Sequence, residues 1–192
     1  ARSKSVEKVV AVDISPKAIE IAKGHINSLQ NPEVADKVWF EMAEAESLMS
    51  NRNVSHIKFD TIVMGEVLEH VFDMDETMRC VDFLLKPGGT VLVSVPEGGD
   101  IDIDHVRIMS NKIVLDLMGR HGYKLIDSSR IQYNSRRAWL AYYFKSTGPG
   151  AAQPVQDTPR STICNKIRKP LPRSRVMRKI QPILGVNIKY KK

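Results

Sequence analysis

An α/β fold, with a mostly parallel sheet closed by a C-terminal antiparallel hairpin, is what this sequence predicts, and three observations predict it. Two short apolar runs with β-branched members, Val9 to Val12 and Thr61 to Met64, turn acidic immediately afterwards, as buried parallel strands do when they emerge at their carboxyl ends. A capped stretch of helical periodicity follows the first run, and a helical stripe follows the second. Near the end of the domain, Tyr123 to Ile131 and Ala138 to Lys145 read as two strands joined by Tyr133-Asn-Ser-Arg-Arg137, a closing hairpin.

Each element has its own local reason. After Asp13, Ser15 can cap a helix with Pro16 at its first position, and Ala18, Ile19, Ala22, Ile26 and Leu29 recur at helical spacing until Asn31-Pro32 stops them. Val38 to Met42 is the next strand, and Ala43-Glu44-Ala45-Glu46-Ser47-Leu48 is the loop after it, at the same edge as Asp13. Asn51 to Lys58 is polar and reads as surface, with His56 a solvated loop residue. Met74, Met78, Val81 and Leu85 make a helical stripe, read as a core face. Pro87-Gly88-Gly89 is a turn before the apolar strand Thr90 to Val95, and the acidic loop Glu97 to His105 is placed to act as a lid. Ser110 can cap a helix with the stripe Ile113, Val114, Leu117 and Met118, ended by Gly122.

The charge is unevenly divided. Residues 1–145 carry 18 Lys and Arg against 21 Asp and Glu, whereas residues 146–192 carry 11 against 1. The chain therefore divides into a domain, 1–145, and a basic, proline-containing tail, 146–192, behind the linker Thr147-Gly-Pro-Gly150. Two cysteines, Cys80 and Cys164, make neither a disulfide framework nor a metal-binding pair, so a reducing cytoplasmic compartment is the default. No apolar run approaches the roughly 20 residues of a transmembrane helix. In the tail, cations alternate with Ile, Leu, Val and Met, so the 162–192 segment is expected to meet an anionic membrane surface in preference to nucleic acid, making the protein at most peripheral to the membrane.

The run Phe59 to His70 is the expected floor of a site, because open α/β sheets collect chemistry at the carboxyl ends of their strands. Glu66, Glu69 and His70 stand at i, i+3 and i+4, so one helical turn would gather two carboxylates and an imidazole on one face. An acid at the position of Asp13 can accept hydrogen bonds from ribose hydroxyls, or simply begin a turn.

The order of these pieces, Asp13 after one strand, Glu44-Ala45 after the next, Glu-x-x-Glu-His after a third and Leu85-Lys-Pro-Gly-Gly89 before a fourth, resembles the class I S-adenosylmethionine-dependent methyltransferases. Val67-Leu-Glu-His-Val71 and His105-Val-Arg107 look like the small-molecule members, including those that O-methylate quinone precursors. The resemblance covers about residues 6–145 and implies a Rossmann-like sheet with S-adenosyl-L-methionine as cofactor. It implies cofactor contacts at Asp13 and Ile14 for the ribose, Glu44 and Ala45 for the adenine, and Gly65 and Glu66 beside the methionine portion. Methyl transfer to a small hydroxylated acceptor then makes His70 the first candidate base and His105 the second. Glu66, Glu69 and His70, joined by His105, form a candidate weak site for Mg2+ or Mn2+.

In one respect the sequence departs from that family. The family begins with a strand and a Gly-x-Gly-x-Gly loop, and only eight residues precede Val9 here. The first strand of the sheet is therefore expected to be missing, and the chain is read as a fragment with weak cofactor affinity of its own. Two further readings stay open: an RNA 2′-O-methyltransferase, since small-RNA enzymes of that class also use Glu-x-x-Glu-His with a later His, and a non-catalytic interaction module.

Overall fold

The computed structural model describes residues 5–97, 105–132 and 138–148. The chain divides into two compact units, Ala1–Lys58 with Glu76–Leu84, and Phe59–Asp75 with Leu85–Lys192. The centre of the lid expected at 97–105, the hairpin tip at 133–137 and the basic tail from 149 onward, with its 162–192 segment, lie outside the described residues.

In the first unit, β1 (Val9–Asp13) pairs in parallel with β2 (Val38–Met42), Val9 opposite Val38 and Asp13 opposite Met42. A parallel pair needs a crossover, and α1 (Pro16–Ser28) provides it. It starts at the predicted cap, where the Ser15 hydroxyl accepts the Ala18 N–H at 3.2 Å and Pro16 takes the first turn. Asn31-Pro32 does end this helix, but the same pair starts another: Asn31 caps α2 (Pro32–Ala35) by accepting the Val34 N–H at 3.3 Å. An asparagine cap with proline behind it is a start signal as much as a stop. No residue of β1 or β2 is fully buried, so the expectation of a buried first strand is not met among the described residues, where β1 has β2 as its sole neighbour.

The second unit carries a four-stranded sheet in the order β3-β4-β6-β5, with β3 at Phe59–Gly65, β4 at Leu85–Pro96, β5 at Tyr123–Gln132 and β6 at Ala138–Ser146. The β3–β4 pair is parallel, and β6 runs antiparallel to both β4 and β5, which is the predicted closing hairpin. β4 is its buried centre: Val91 and Val95 are fully covered, and Val93 nearly so. β3 departs from the expectation of a fully buried strand. Met64 is buried but Thr61, Val63 and Gly65 are exposed, because among the described residues β3 is paired along one edge alone. α3 (Met74–Leu84), whose residues from Glu76 onward belong to the first unit, ends one residue before the predicted stripe does, since Leu85 already belongs to β4. α4 (Asn111–Arg120) begins at the Ser110 cap, buries Val114, Leu117 and Met118, and gives way at Gly122, whose φ of 75° is one that glycine adopts without strain.

The predicted Pro87-Gly88-Gly89 turn lies inside β4 as an irregularity: Phe59 faces Leu85, yet Thr61 faces Thr90, so the chain loops out between these partners. Gly88 takes φ 69°, and a Cβ on Gly89 would stand 2.8 Å from the Leu85 side chain and 2.9 Å from the Lys86 carbonyl. Gly89→Ala is therefore expected to destabilise the protein by about 1–3 kcal/mol through overpacking against backbone. Gly24→Ala, in open space on α1, should stabilise by about 0.5–1 kcal/mol. Chemical denaturation of both variants checks the opposite signs.

Candidate functional site

In the first unit the sequence candidates meet at one edge. The Ala43 N–H donates to the Asp13 carbonyl at 3.2 Å, which extends the β1–β2 ladder and brings Asp13 and Ile14 beside the start of the loop that carries Glu44 and Ala45. Asp13 is exposed, and its Oδ1 accepts the Ser15 N–H at 2.8 Å, so the turn role foreseen for it is present. Ile14 is 64% exposed. Glu44 is exposed, and its carbonyl accepts both the N–H and the hydroxyl of Ser47, which winds Ala45–Ser47 into a 3-10 turn.

In the second unit β3 ends at Gly65, and Glu66 takes φ 54°, a left-handed conformation that costs a side-chain-bearing residue about 1–2 kcal/mol. This corrects the expectation that Glu66, Glu69 and His70 share one helical face. The turn starts only at Val67, whose carbonyl accepts the N–H groups of His70 at 3.0 Å and Val71 at 3.3 Å. Glu66 is aimed elsewhere: Oε1 accepts the Ser94 hydroxyl at 2.7 Å and Oε2 accepts the Trp139 indole N–H at 2.6 Å, from β4 and β6. Burial holds its carboxyl above the usual range, with the Ser94 and Trp139 donors and the two histidines opposing that rise.

Glu69, His70 and His105 do come together. One ligand atom from each lies within 4.8 Å of the others, and the two imidazoles stand edge to face with centroids 4.8 Å apart. Glu69 is fully buried, His70 exposed and His105 between the two. Neither oxygen of Glu69 has a hydrogen-bond partner among the described residues. Burial pushes its carboxyl up to about 7, its own backbone N–H opposes that rise, and the Glu66 carboxylate adds to it. A buried carboxyl without a side-chain donor, next to two imidazoles, can take up a proton near neutrality or ligate a cation.

Two residues of this arrangement, Ser94 and Trp139, were not singled out from sequence, and a third, Arg107, was read only as part of the motif His105-Val-Arg107. Ser94 and Trp139 fix Glu66, and Arg107 donates to the carbonyls of Leu68 and Phe72 at 2.8 Å each and to that of Val71. A serine inside an apolar strand was the one signal for Ser94; Trp139 carried none, being one aromatic among several on its strand.

A family model described as a methyltransferase domain matches residues 1–143. The ubiquinone biosynthesis O-methyltransferase of Nitrosospira multiformis is 30% identical over 141 residues, 72% of this chain and 55% of that protein. The enzyme of the same name from Xanthomonas euvesicatoria pv. vesicatoria is 33% identical over 87 residues, 45% of this chain and 33% of that one. The chain thus spans between a third and about half of the length of these relatives. Among solved structures, the N-methyltransferase NodS from Bradyrhizobium japonicum WM9 in complex with S-adenosyl-L-homocysteine superposes with a TM-score of 0.57 at 16% identity, over 73% of this chain and 67% of that one. The [4+2]-cyclase SpnF superposes with a TM-score of 0.58 at 15% identity, over 72% of this chain and 66% of that one. Likeness at this identity is one of fold, and the cyclase among the neighbours illustrates that a fold does not dictate a reaction.

Proposed function

We propose that this chain, which belongs to the class I S-adenosylmethionine-dependent methyltransferases, serves the transfer of a methyl group from S-adenosylmethionine to the hydroxyl of a small metabolite. The observation that carries the reading is the cluster of Glu69, His70 and His105 just past the end of β3, where a hydroxyl acceptor would need a base. In the reaction the acceptor oxygen attacks the sulfonium methyl in line, the new C–O bond forms as the C–S bond breaks, and S-adenosylhomocysteine leaves with the electron pair. The hydroxyl proton passes to an imidazole. His70, the exposed member of the pair, is the base and His105 its neighbour and alternate. The names of the relatives, ubiquinone biosynthesis O-methyltransferases, favour a phenol or catechol as acceptor over RNA.

The family's cofactor positions are carried over residue by residue. In the first unit, Asp13 and Ile14 are assigned to the ribose and Glu44 and Ala45 to the adenine. In the second, Gly65 and Glu66 are assigned to the methionine portion, and the fixed carboxylate of Glu66 suits an ammonium group.

The divalent-ion reading passes from Glu66, which does not join the cluster of possible ligands, to Glu69, His70 and His105. The carboxylate of Glu69, which has no partner among the described residues, fits a cation. One carboxylate with two imidazoles suits Mn2+ or another imidazole-binding ion better than Mg2+, which prefers oxygen ligands. Such an ion, when bound, would lower the pKa of an acceptor hydroxyl. For the tail, whose cations alternate with aliphatic residues, attachment to an anionic membrane surface from the cytoplasmic side remains the proposal, and it would bring the enzyme close to apolar acceptors.

The test is methyl-labelled S-adenosylmethionine with a panel of phenols, catechols, amines and carboxylates, using the longest gene product that carries this chain. Label is expected on phenolic oxygen; label on nitrogen alone would overturn the reading. In the same protein Asp13→Ala should weaken cofactor binding by about 1–3 kcal/mol, roughly 5- to 160-fold in Kd, with the melting temperature nearly unchanged. An unaltered Kd would leave Asp13 with only the turn it forms with Ser15.

A further inference from the structure

We infer that Arg107 is a positioning residue that locks His105 against Glu69 and His70. His105 reaches the cluster from a different part of the chain, 35 residues beyond His70, so some contact must set the register between the two segments. Two sets of bonds do this. The Val106 N–H donates to the Glu69 carbonyl at 3.0 Å, so the backbone directly after His105 is tied to the backbone of the buried acid. The Arg107 guanidinium then donates through Nη1 to the Leu68 and Val71 carbonyls and through Nη2 to the Phe72 carbonyl.

Those three carbonyls belong to the single turn that carries Glu69 and His70, and they are of the kind that a turn too short to continue as a helix cannot satisfy from its own N–H groups. Leu68 and Val71 are buried and pin the body of the turn, whereas Phe72 is 84% exposed, so burial does little for the last of the three residues. A planar guanidinium with five donors can span all three carbonyls from one position. The ammonium of lysine is a point charge on a flexible stem and lacks that fork. Since the imidazole of His105 and the guanidinium of Arg107 flank Val106, fixing the guanidinium to the turn also fixes where His105 meets His70, with ring centroids at 4.8 Å.

The catalytic consequence rests on the methyl-transfer reading above, whereas the geometric claim stands without it. The test is therefore made first by nuclear Overhauser contact between the His70 and His105 ring protons in ring-labelled protein, with the methyl resonances of the buried Val91, Val114 and Leu117 reporting that the fold persists. The wild type should show the ring contact. Arg107→Ala should lose it while the core methyls stay in place, and millimolar ethylguanidinium should restore it by refilling the vacated position. Arg107→Lys, which keeps the charge and has the better chance of folding, should recover no more than part of it. Full ring contact in Arg107→Lys, or an undiminished contact in Arg107→Ala, overturns the inference; loss in Arg107→Lys with an intact core supports it even where the alanine variant does not fold. In methyl transfer, Arg107→Ala should lower kcat about 10- to 100-fold with KM for S-adenosylmethionine unchanged, the scale expected when a reacting group is displaced by about 1 Å. A wild type that transfers no methyl group would defeat the functional reading and leave the ring contact to decide on Arg107.

Discussion

Glu69→Gln is expected to stabilise the protein above neutral pH and to leave it nearly unchanged in acid. The carboxyl of Glu69 is fully buried, neither oxygen has a hydrogen-bond partner among the described residues, and its folded-state pKa is about 7 against 4.5 for an ordinary glutamate. Below pH 4.5 the group is protonated in both the folded and the unfolded chain, so glutamate and glutamine are nearly equivalent. Between 4.5 and about 7 the folded chain holds a proton that the unfolded chain has released, and stability falls as pH rises, by about 1.4 kcal/mol per pH unit. The loss is complete above about pH 7, with an upper bound of about 3 kcal/mol. Glutamine carries no charge and escapes this loss, so the gap between the two proteins should open across that window and stay constant beyond it. Urea denaturation at about pH 5 and about pH 8, on either side of most of that window, measures it. Equal stabilities at the higher pH would show that Glu69 is hydrated or paired in solution. The same experiment addresses the cation reading. Manganese should recover much of the wild-type loss at the higher pH by binding the ionised carboxylate, and should do nothing for Glu69→Gln.

The contrast between what could be read along the chain and what could not follows from the range of the forces involved. Caps and turns are settled within a few residues, so Ser15, Ser110 and Gly122 act where their neighbours said they would. The aromatic and aliphatic stretches of β5 and β6, split by a polar run, and the apolar run of β4 are signals carried within each segment, and the hairpin and the centre of the second sheet are legible for that reason. The neighbourhood of Glu69 and His70 was legible too, because acids and histidines directly after an apolar strand stand at its carboxyl end, where an open sheet has its crevice. What escaped depends on contacts distant in sequence. The exposed alternate residues of β3 reflect which edge is paired, a property of neighbouring strands and not of the run itself. The direction of Glu66 is decided by donors 28 and 73 residues away, and no helical spacing rule could anticipate a left-handed φ at the very residue on which the spacing was counted.

That left-handed residue should reveal itself in a second substitution series. Glu66→Ala removes the acceptor of both the Ser94 hydroxyl and the Trp139 indole N–H while keeping a Cβ at φ 54°, and it is expected to destabilise by about 2–3 kcal/mol. That is near the value of one charge-assisted hydrogen bond although two are lost, because relief of the burial that raises the Glu66 carboxyl offsets part of the loss. Glu66→Gly loses the same bonds but relieves the backbone, and should be more stable than Glu66→Ala by about 1 kcal/mol, the reverse of the order these residues show in ordinary helices and strands. Glu66→Gln should stay within about 1 kcal/mol of wild type, since its amide oxygen can face the indole N–H and its NH2 can donate to the Ser94 oxygen, whose hydroxyl is free to rotate. The Trp139 indole N–H resonance gives a local readout, expected to shift upfield in the alanine and glycine variants and hardly to move in the glutamine variant. Equal stabilities for alanine and glycine would mean that position 66 does not hold a left-handed backbone in solution, and an unmoved indole resonance in Glu66→Ala would mean that the carboxylate and the indole do not meet.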